Sequence, residues 1–280
     1  MARRGGHATV IGPQQAWDWL ARELDRWGES GQSASFWWRD DDATEPSAEL
    51  ERLLQTSLHH DLPLALAVIP AQLDPRLVTH LQQFPRTSVL QHGFNHRSHA
   101  LPGQRKLELG GDRDADAILG ELAQGYRILQ QQFADRFVPV MVPPWNRIDA
   151  NLLARLSDIG LCGLSTMRVR RLAHPAPGLL QVNTHLDPIN WRMHRGFIGL
   201  YPAVAILVQH LLARRTGYRD LQEPTGILSH HLAQSEPVWR FLDRLFEFLG
   251  KHPAVTWVDA SSIWQPASTV AAKPGQGKAQ

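Results

Sequence analysis

Cysteine is almost absent from this chain of 280 residues, which holds one, Cys162. A single cysteine excludes an internal disulfide framework and is typical of a reducing compartment. Cys162 has no base at a characteristic spacing, so we do not predict it as a nucleophile. The chain also lacks a Gly-rich phosphate loop and a Gly-x-Ser-x-Gly nucleophile elbow.

Strong charge of one sign and long apolar runs are lacking as well. The net charge is +2 and the arginines are scattered, which indicates neither a nucleic-acid partner nor a polybasic membrane anchor. The apolar run over residues 197–212 is broken by Pro202 and Gln209 and is too short to span a bilayer comfortably. No apolar stretch typical of a signal peptide precedes Gln14. We therefore expect a cytoplasmic protein without a membrane span; its oligomeric state is left open.

What the chain does contain is an alternation of strand-like and helical segments. Hydrophobic residues make up 43% of the chain, enough for a sizeable core. The alternation predicts parallel βαβ units in a single domain. About seven to eight strands predict an irregular (β/α) barrel, with an open doubly wound sheet as the alternative. We predict a flexible leader over residues 1–12, the barrel over 13–265 and a disordered tail over 266–280.

The predicted elements can be given by residue number. Strands are predicted at 35–39, 64–69, 87–91, 137–142, 161–165, 179–182, 226–229 and 255–258. Helices are predicted at 13–28, 47–60, 112–133, 149–160, 201–214 and 237–249, with Asp149 as the cap of the fourth. A short helix is predicted after Asp74.

Three consecutive carboxylates, Asp40, Asp41 and Asp42, follow the first predicted strand. Adjacent side chains at the end of a strand point in different directions. Three carboxylates beside a buried strand repel one another unless a cation or a proton offsets their charge. The cluster therefore indicates a metal site or an acid–base site, and a solvated turn with a capping Asp is the alternative.

Histidine is common after the later strands. His92 and His96 are four residues apart, and at this spacing on one helical turn they face the same way and can share a cation. His96 and His99 form a competing pair. Together with an Asp from another strand end, two His and a carboxylate predict an open metal site, because active sites of such barrels gather at strand ends. His230 follows the strand predicted at 226–229 and is a candidate proton donor.

Other histidines are predicted to be packed or solvent-facing. This group comprises His59, His60, His80, His174, His194, His210 and His252.

Five stretches, taken in order over residues 35–258, resemble the motifs of the polysaccharide deacetylases of the NodB-homology type, carbohydrate esterase family four. The first family motif, Thr-Phe-Asp-Asp-Gly, is matched by residues 39–43, Arg-Asp-Asp-Asp-Ala. The resemblance implies that Asp41 is the base and Asp42 a metal ligand. A register slip of one residue would give these roles to Asp40 and Asp41 instead.

The second family motif, His-(Ser/Thr)-x-x-His, is matched by His92-Gly-Phe-Asn-His96, with Gly at the second place. The resemblance implies that both His bind the metal. The third, Arg-x-Pro-(Tyr/Phe)-Gly, is matched in part by residues 142–146, Val-Pro-Pro-Trp-Asn. Its Arg, which pairs with the base in the family, is missing, and Arg39 and Arg147 are the two candidates to replace it.

The last two motifs supply the acid. The fourth, Asp-x-x-Asp-Trp, resembles Asp187-Pro-Ile-Asn190-Trp191, with Asn for the second Asp. The fifth, Leu-x-His, is matched by residues 228–230, which makes His230 similar to the general acid. The resemblance implies that Asp187 orients His230.

The mechanism implied by the resemblance uses a divalent metal, expected to be zinc, on Asp42, His92 and His96. Metal-bound water would be the nucleophile, Asp41 would take its proton and His230 would protonate the leaving group. Five residues are predicted to contact substrate, with the two tryptophans as apolar walls or a sugar-stacking surface: Pro143, Trp145, Asn146, Arg147 and Trp191.

The resemblance implies a hydrolase that removes an acetyl group from an N-acetylated or O-acetylated sugar. A metal-dependent amidase acting on a non-sugar C–N bond is one alternative. A catalytically weakened relative that binds glycan or metal without turnover is another, motivated by the missing Arg. The expected partner is an acetylated carbohydrate or a small amide, such as a cytoplasmic glycan precursor, a lipid-linked sugar or a small metabolite.

Overall fold

The computed structural model describes residues 12–193 and 195–264. Apart from Gly12, the predicted leader lies outside the described residues, and so do the predicted tail and His194.

Ten strands are present in the described residues, and eight of them form one parallel sheet. Neighbours in the sheet follow the order β10-β1-β2-β3-β4-β5-β6, β9 also pairs with β1, and β7 and β8 form an antiparallel hairpin. The strands are β1 (Ala34–Ala43), β2 (Leu64–Val68), β3 (Thr87–His92), β4 (Phe137–Val142), β5 (Gly163–Leu164), β6 (Leu180–Gln181), β7 (Ile189–Asn190), β8 (Gly196–Phe197), β9 (Thr225–Ser229) and β10 (Val255–Trp257).

The hydrogen bonds of the sheet continue around a barrel. Beyond β6, Thr184 bridges in parallel to Met167, and Leu186 bridges in parallel to Ile227 of β9. Since β9 pairs with β1, this irregular segment joins the two sides of the curled sheet. The predicted irregular (β/α) barrel is confirmed, and the open doubly wound sheet is wrong.

Eight helices accompany the strands in the described residues. Two predicted caps are present: the Ser47 side chain accepts from the Leu50 amide, and Asp74 accepts from the Arg76 amide. The helices are α1 (Pro13–Glu29), α2 (Ala48–His59), α3 (Pro75–Leu81), α4 (Ala115–Phe133), α5 (Ala150–Leu153), α6 (Leu200–Arg215), α7 (Glu236–Gly250) and α8 (Ala260–Trp264).

The helix predicted after Asp149 is shorter than expected. It ends at Leu153, and a separate single turn follows at Ser157–Ile159. The Asp149 side chain does not cap this helix, because its Oδ2 accepts from the Gly111 amide of another loop. The β7–β8 hairpin and α8 were not predicted, since two-residue strands and a five-residue helix show too little periodicity.

The main core lies between the sheet and the outer helices. All residues of β2 are buried, as a strand covered on both faces requires. Trp38 of β1 packs against Phe246 of α7, with ring centroids 4.5 Å apart. Among the described residues, no helix is both long and apolar enough to cross a membrane.

The first carboxylate of the Asp cluster is part of this interior. Asp40 is fully buried and accepts hydrogen bonds from Ser229 Oγ (2.6 Å) and the His231 amide (3.0 Å). His231 Nδ1 lies 2.5 Å from the other Asp40 oxygen. Burial alone would lower the pKa of His231, but the Asp40 carboxylate outweighs burial and raises it. The pair therefore ties β1 to the turn after β9.

We predict that His231→Ala lowers the free energy of unfolding by about 3–5 kcal/mol, because it leaves the Asp40 carboxylate buried without its cation. Urea denaturation at pH 7 measures the change. The control is Asp243→Ala, which breaks the ion pair with His60 at a carboxylate whose side chain is 65% exposed. The control is expected to cost less than about 1 kcal/mol. Equal losses in the two variants would contradict a structural role for the buried pair.

Candidate active site

Two strand ends bring the predicted metal-binding residues together. Asp42 lies near the end of β1, His92 ends β3, and His96 lies in the loop that follows. Asp42 Oδ1 is 3.0 Å from His92 Nε2 and 3.3 Å from His96 Nε2. His99 is exposed and is not part of this group, so the competing His96–His99 pair is not formed.

The two histidines do not share a helical turn, and that part of the prediction is wrong. The chain after β3 is an irregular loop in which Gly93 and His96 both have φ of 56°. Asp42 (φ 77°) and Trp145 (φ 55°) also lie in the left-handed region, which is uncommon for residues with a side chain. Strained backbone thus gathers around the group formed by Asp42, His92 and His96.

The hydrogen bonds of His92 show that this group fits a divalent cation. His92 Nδ1 lies 2.9 Å from the Val142 carbonyl oxygen, so Nδ1 carries a proton and donates it. In the neutral imidazole, Nε2 then directs a lone pair at Asp42 Oδ1, and two acceptors face each other unless a cation or a proton lies between them. A tetrahedral zinc site with bonds of about 2.0–2.2 Å would separate its ligand atoms by about 3.3–3.6 Å, close to the distances observed.

Electrostatics favour the charged carboxylate in this group. Burial would raise the pKa of Asp42, but its hydrogen bond with His92 and the neighbouring imidazoles outweigh burial and hold it well below its usual range. Burial and the neighbouring His92 lower the pKa of His96, which favours the neutral imidazole. Burial would lower the pKa of His92, but the hydrogen bond with Asp42 and the Asp41 and Asp42 charges outweigh burial and raise it. Because an ionised carboxylate and neutral imidazoles are the forms that bind metals, a cation here would take the place of the proton on His92.

Asp41 is held by Arg39 rather than by Arg147. Arg39 Nη2 donates to Asp41 Oδ2 at 3.1 Å, and Arg39 Nε lies 2.8 Å from Asp41 Oδ1 without a hydrogen bond between them, so the two side chains form a buried ion pair with one hydrogen bond. Arg39 Nη2 also donates to Asn146 Oδ1 at 3.0 Å. Arg147 instead donates to the Lys106 carbonyl oxygen. Of the two candidates for the missing Arg, only Arg39 contacts Asp41.

His230 lies on the other side of Asp41. Its Nε2 is 3.9 Å from Asp41 Oδ2, and its ring packs edge-on against Trp191 with centroids 4.7 Å apart. Asp187 is expected to orient His230, but His230 donates no hydrogen bond to it: Asp187 accepts from Trp191 Nε1 (2.7 Å) and the Ile189 amide (2.9 Å). Burial raises the pKa of Asp187. Asp187 therefore positions the Trp191 indole that covers His230.

The predicted substrate-contacting residues differ in their exposure. The Trp145 ring packs on His96, with centroids 4.6 Å apart, and Trp191 is 45% exposed beside His230. Asn146 and Arg147 are half-buried, whereas Pro143 is buried and shapes the turn by accepting from the Asn146 amide. The two tryptophans thus flank opposite sides of the group, and Pro143 has no surface for a ligand.

Glu108 supports this group and was missed in the sequence. It is fully buried, and its Oε1 accepts from the amides of Phe94 (3.0 Å) and Asn95 (2.8 Å), between the two histidines. A Cβ at Gly93 would lie 2.3 Å from Glu108 Oε2 and 2.7 Å from Pro144 Cγ. The carboxylate therefore requires glycine at the second place of the motif, where the resembling family has Ser or Thr. A single Glu in an irregular loop carries no signal by which the sequence could reveal it.

A second buried group, His185, His210 and Glu223, does not fit a cation. The Gly226 amide donates to His185 Nδ1, so the proton of the neutral ring is on Nε2, the nitrogen that faces Glu223. Burial and the charge of Arg214 lower the pKa of His185 to about 3. Burial, together with neighbouring His185, lowers the pKa of His210 to about 2. This group is a buried neutral pair of histidines, in accord with the packed role predicted for His210.

Comparison with solved structures identifies the fold. A Mycobacterium smegmatis protein that is described as a polysaccharide deacetylase aligns with a TM-score of 0.58 at 16% identity. The alignment covers 83% of this chain and 89% of that one. A family 4 acetyl xylan esterase of Clostridium thermocellum, solved with a cobalt ion, aligns with a TM-score of 0.51 at 14% identity, covering 82% and 89%. A peptidoglycan deacetylase of Bacillus subtilis aligns with a TM-score of 0.51 at 13% identity, covering 82% and 90%.

The sequence comparisons find nothing: no family model matches the chain, and no curated protein matches it. At identities of 13–16% the structural likeness defines the fold. The chain therefore has the (β/α) barrel of the polysaccharide deacetylases and family 4 carbohydrate esterases, as the sequence motifs predict.

We predict that Glu108→Ala weakens divalent-metal binding about 10- to 100-fold, because the Phe94 and Asn95 amides lose the acceptor that holds the loop of His96. Titration with zinc against a competing chelator measures the affinity. Glu108→Gln keeps one oxygen acceptor and is expected to bind metal more tightly than Glu108→Ala. Glu236→Gln, which alters an exposed Glu paired with Arg52 on the outer helices, is the control. Wild-type affinity in Glu108→Ala would contradict the prediction.

We also predict that His210→Gln makes stability less sensitive to acid. Since the folded-state pKa of His210 is lowered, the unfolded chain binds more protons below pH 6.5, and the free energy of unfolding falls with falling pH. Burial raises the pKa of Glu223 to about 7, so this group increases the free energy of unfolding as pH falls. Its effect opposes that of the histidines, but it is one group and His185 and His210 are two. Between pH 6.5 and 4.5 the variant should lose roughly 2–3 kcal/mol less than wild type in urea denaturation. Parallel curves would contradict this.

Proposed function

We propose that this protein is a divergent member of the polysaccharide deacetylase family: a metal-dependent hydrolase that removes acetyl groups from N-acetylated or O-acetylated sugars. The observation that carries the proposal is one cluster of three parts. It contains a carboxylate with two imidazoles, a second carboxylate held by an arginine, and His230 Nε2 at 3.9 Å from that carboxylate. These parts are a cation site, a base and an acid, the groups that hydrolysis of an acyl bond requires.

Asp42, His92 and His96 would hold the metal. Two imidazole nitrogens and one carboxylate oxygen match the donor set of catalytic zinc, which leaves a position open, so we propose zinc as the ion. When bound, the ion acts as a Lewis acid that lowers the pKa of water and polarises the acyl oxygen. The His92 Nδ1 bond to the Val142 carbonyl fixes the ring so that Nε2 is available.

Asp41 acts as the base. The Arg39 ion pair and its hydrogen bond to Oδ2 fix the carboxylate in one orientation, while Oδ1, which accepts no hydrogen bond, stays available to the water that loses a proton. The third-motif arginine is missing, but the Arg39 contact supplies the same pairing from β1. This removes the reason to regard the chain as a catalytically weakened relative.

His230 acts as the acid. Its Nε2 lies on the same side of the cluster as Asp41 Oδ2, so a proton can pass from this imidazole to the departing amine or alcohol. Trp191 covers the ring and Asp187 holds Trp191, so we assign Asp187 an indirect orienting role. Trp145 and the exposed face of Trp191 form the walls on which a sugar ring stacks.

The alternative amidase function differs from the proposed one only in its substrate. The cytoplasmic location of the protein stays a prediction. A panel of acetylated chitooligosaccharides, acetylated xylooligosaccharides and an N-acetyl arylamine, with acetate release as the readout, separates N-acetyl, O-acetyl and non-sugar substrates.

We predict that Asp41→Asn lowers kcat for acetate release about 10²- to 10⁴-fold while zinc is retained, since it removes the base but no metal ligand. His92→Ala is expected to lose both zinc and activity. Elemental analysis of the purified protein and a coupled acetate assay measure the two properties. His99→Ala, an exposed histidine in the same loop, is the control and should retain both. Full activity in Asp41→Asn, or wild-type protein that binds no divalent metal, would overturn the proposal.

A further inference from the structure

A cavity of about 470 Å³ adjoins the candidate active site. Asn146 belongs both to the lining of this cavity and to the network of the base, because its Oδ1 accepts from Arg39, which holds Asp41. Thr166 and Gln181 add polar groups to the same lining. A substrate that presents its acetyl group to Asp41 therefore has room to place a neighbouring substituent in this cavity.

The cavity carries more positive than negative charge. Arg105 and Arg147 both line it, and neither forms an ion pair with a carboxylate of the described residues. Arg147 is half-buried, with Nη1 bound to the Lys106 carbonyl oxygen at 2.7 Å, so its position is defined. The one carboxylate in the lining, Asp149, accepts from the Gly111 amide.

Two further cations lie over the two tryptophan walls. Lys106 Nζ is 5.6 Å from the Trp145 ring centroid, and Arg195 Cζ is 5.8 Å from that of Trp191. Both cations are exposed, and neither pairs with a carboxylate of the described residues. Four cations from three loops thus surround a cluster whose own carboxylates already have partners.

We propose that the substrate is an acidic acetylated saccharide, whose carboxylate or phosphate oxyanion binds in the cavity at Arg147 and Arg105. The inference rests on the proposed function and adds to it the substrate class. The planar guanidinium groups match the geometry of either oxyanion, and the rim cations Lys106 and Arg195 raise the local concentration of an anionic sugar. A neutral acetylated sugar would leave these cations without a counter-ion.

Matched sugars test the substrate class with the zinc-loaded full chain. N-acetylglucosamine, its 1-phosphate and N-acetylmuramic acid share the acetamido group. The first sugar is neutral, the second carries a phosphate and the third a carboxylate. We expect kcat/KM for at least one acidic sugar to exceed that for N-acetylglucosamine at least about tenfold, mainly through a lower KM. The preference should shrink as NaCl rises from about 50 to about 300 mM. The better of the two acidic sugars identifies the anion as phosphate or carboxylate.

In the double variant Arg105→Gln/Arg147→Gln, the ratio of kcat/KM for the acidic sugar to kcat/KM for N-acetylglucosamine is expected to fall about tenfold or more. The control Arg240→Gln, an exposed arginine on α7 that also lacks an ion pair, should keep the wild-type preference. Equal kcat/KM for the three sugars, or a preference unchanged in the double variant, would overturn the inference while leaving the deacetylase proposal intact.

Binding without turnover separates the two proposals. Isothermal titration of wild type with the three sugars is expected to give at least about tenfold tighter binding for an acidic sugar, and the double variant should abolish the difference. If neither these sugars nor the acetylated oligosaccharide panel is hydrolysed, the proposed function fails, and this binding difference still decides the inference. Equal binding of neutral and acidic sugars would overturn it.

Discussion

The structure around the candidate site depends on how three adjacent carboxylates of β1 are separated and neutralised. Asp40 is paired in the interior with His231, Asp41 with Arg39, and Asp42 with His92 and His96. Each partner comes from a different direction, because successive side chains of a strand point to different sides. A buried unpaired carboxylate would cost several kcal/mol, so the three pairs hold β1 against β9 and the loop after β3.

The metal-binding group is supported by backbone that is strained and held from behind. Asp42, His96 and Trp145 adopt positive φ, and the buried Glu108 carboxylate binds the loop between the two histidines. Such conformations persist only where surrounding contacts determine them. Gly93 is required at the closest approach to Glu108, so the departure from the family motif at this place has a steric reason.

The proposed preference for an anion follows from the same pairing of charges. Because Asp41 and Asp42 are already matched by Arg39 and the histidines, they do not neutralise the cations at the rim. Arg147, Arg105, Lys106 and Arg195 are therefore available to a ligand. In the proposed function, the inner charges would serve the chemistry and the outer charges would select the substrate.

The sequence by itself determined the alternating strands and helices, the caps at Ser47 and Asp74, and the residue set Asp42, His92 and His96. These follow from periodicity, local hydrogen bonding and motif spacing, which act over a few residues. Only the tertiary structure decided that Arg39 holds Asp41, that Asp187 contacts Trp191 instead of His230, and that Glu108 supports the loop. Those outcomes depend on side-chain directions at β1 and on contacts between loops, which local patterns do not encode.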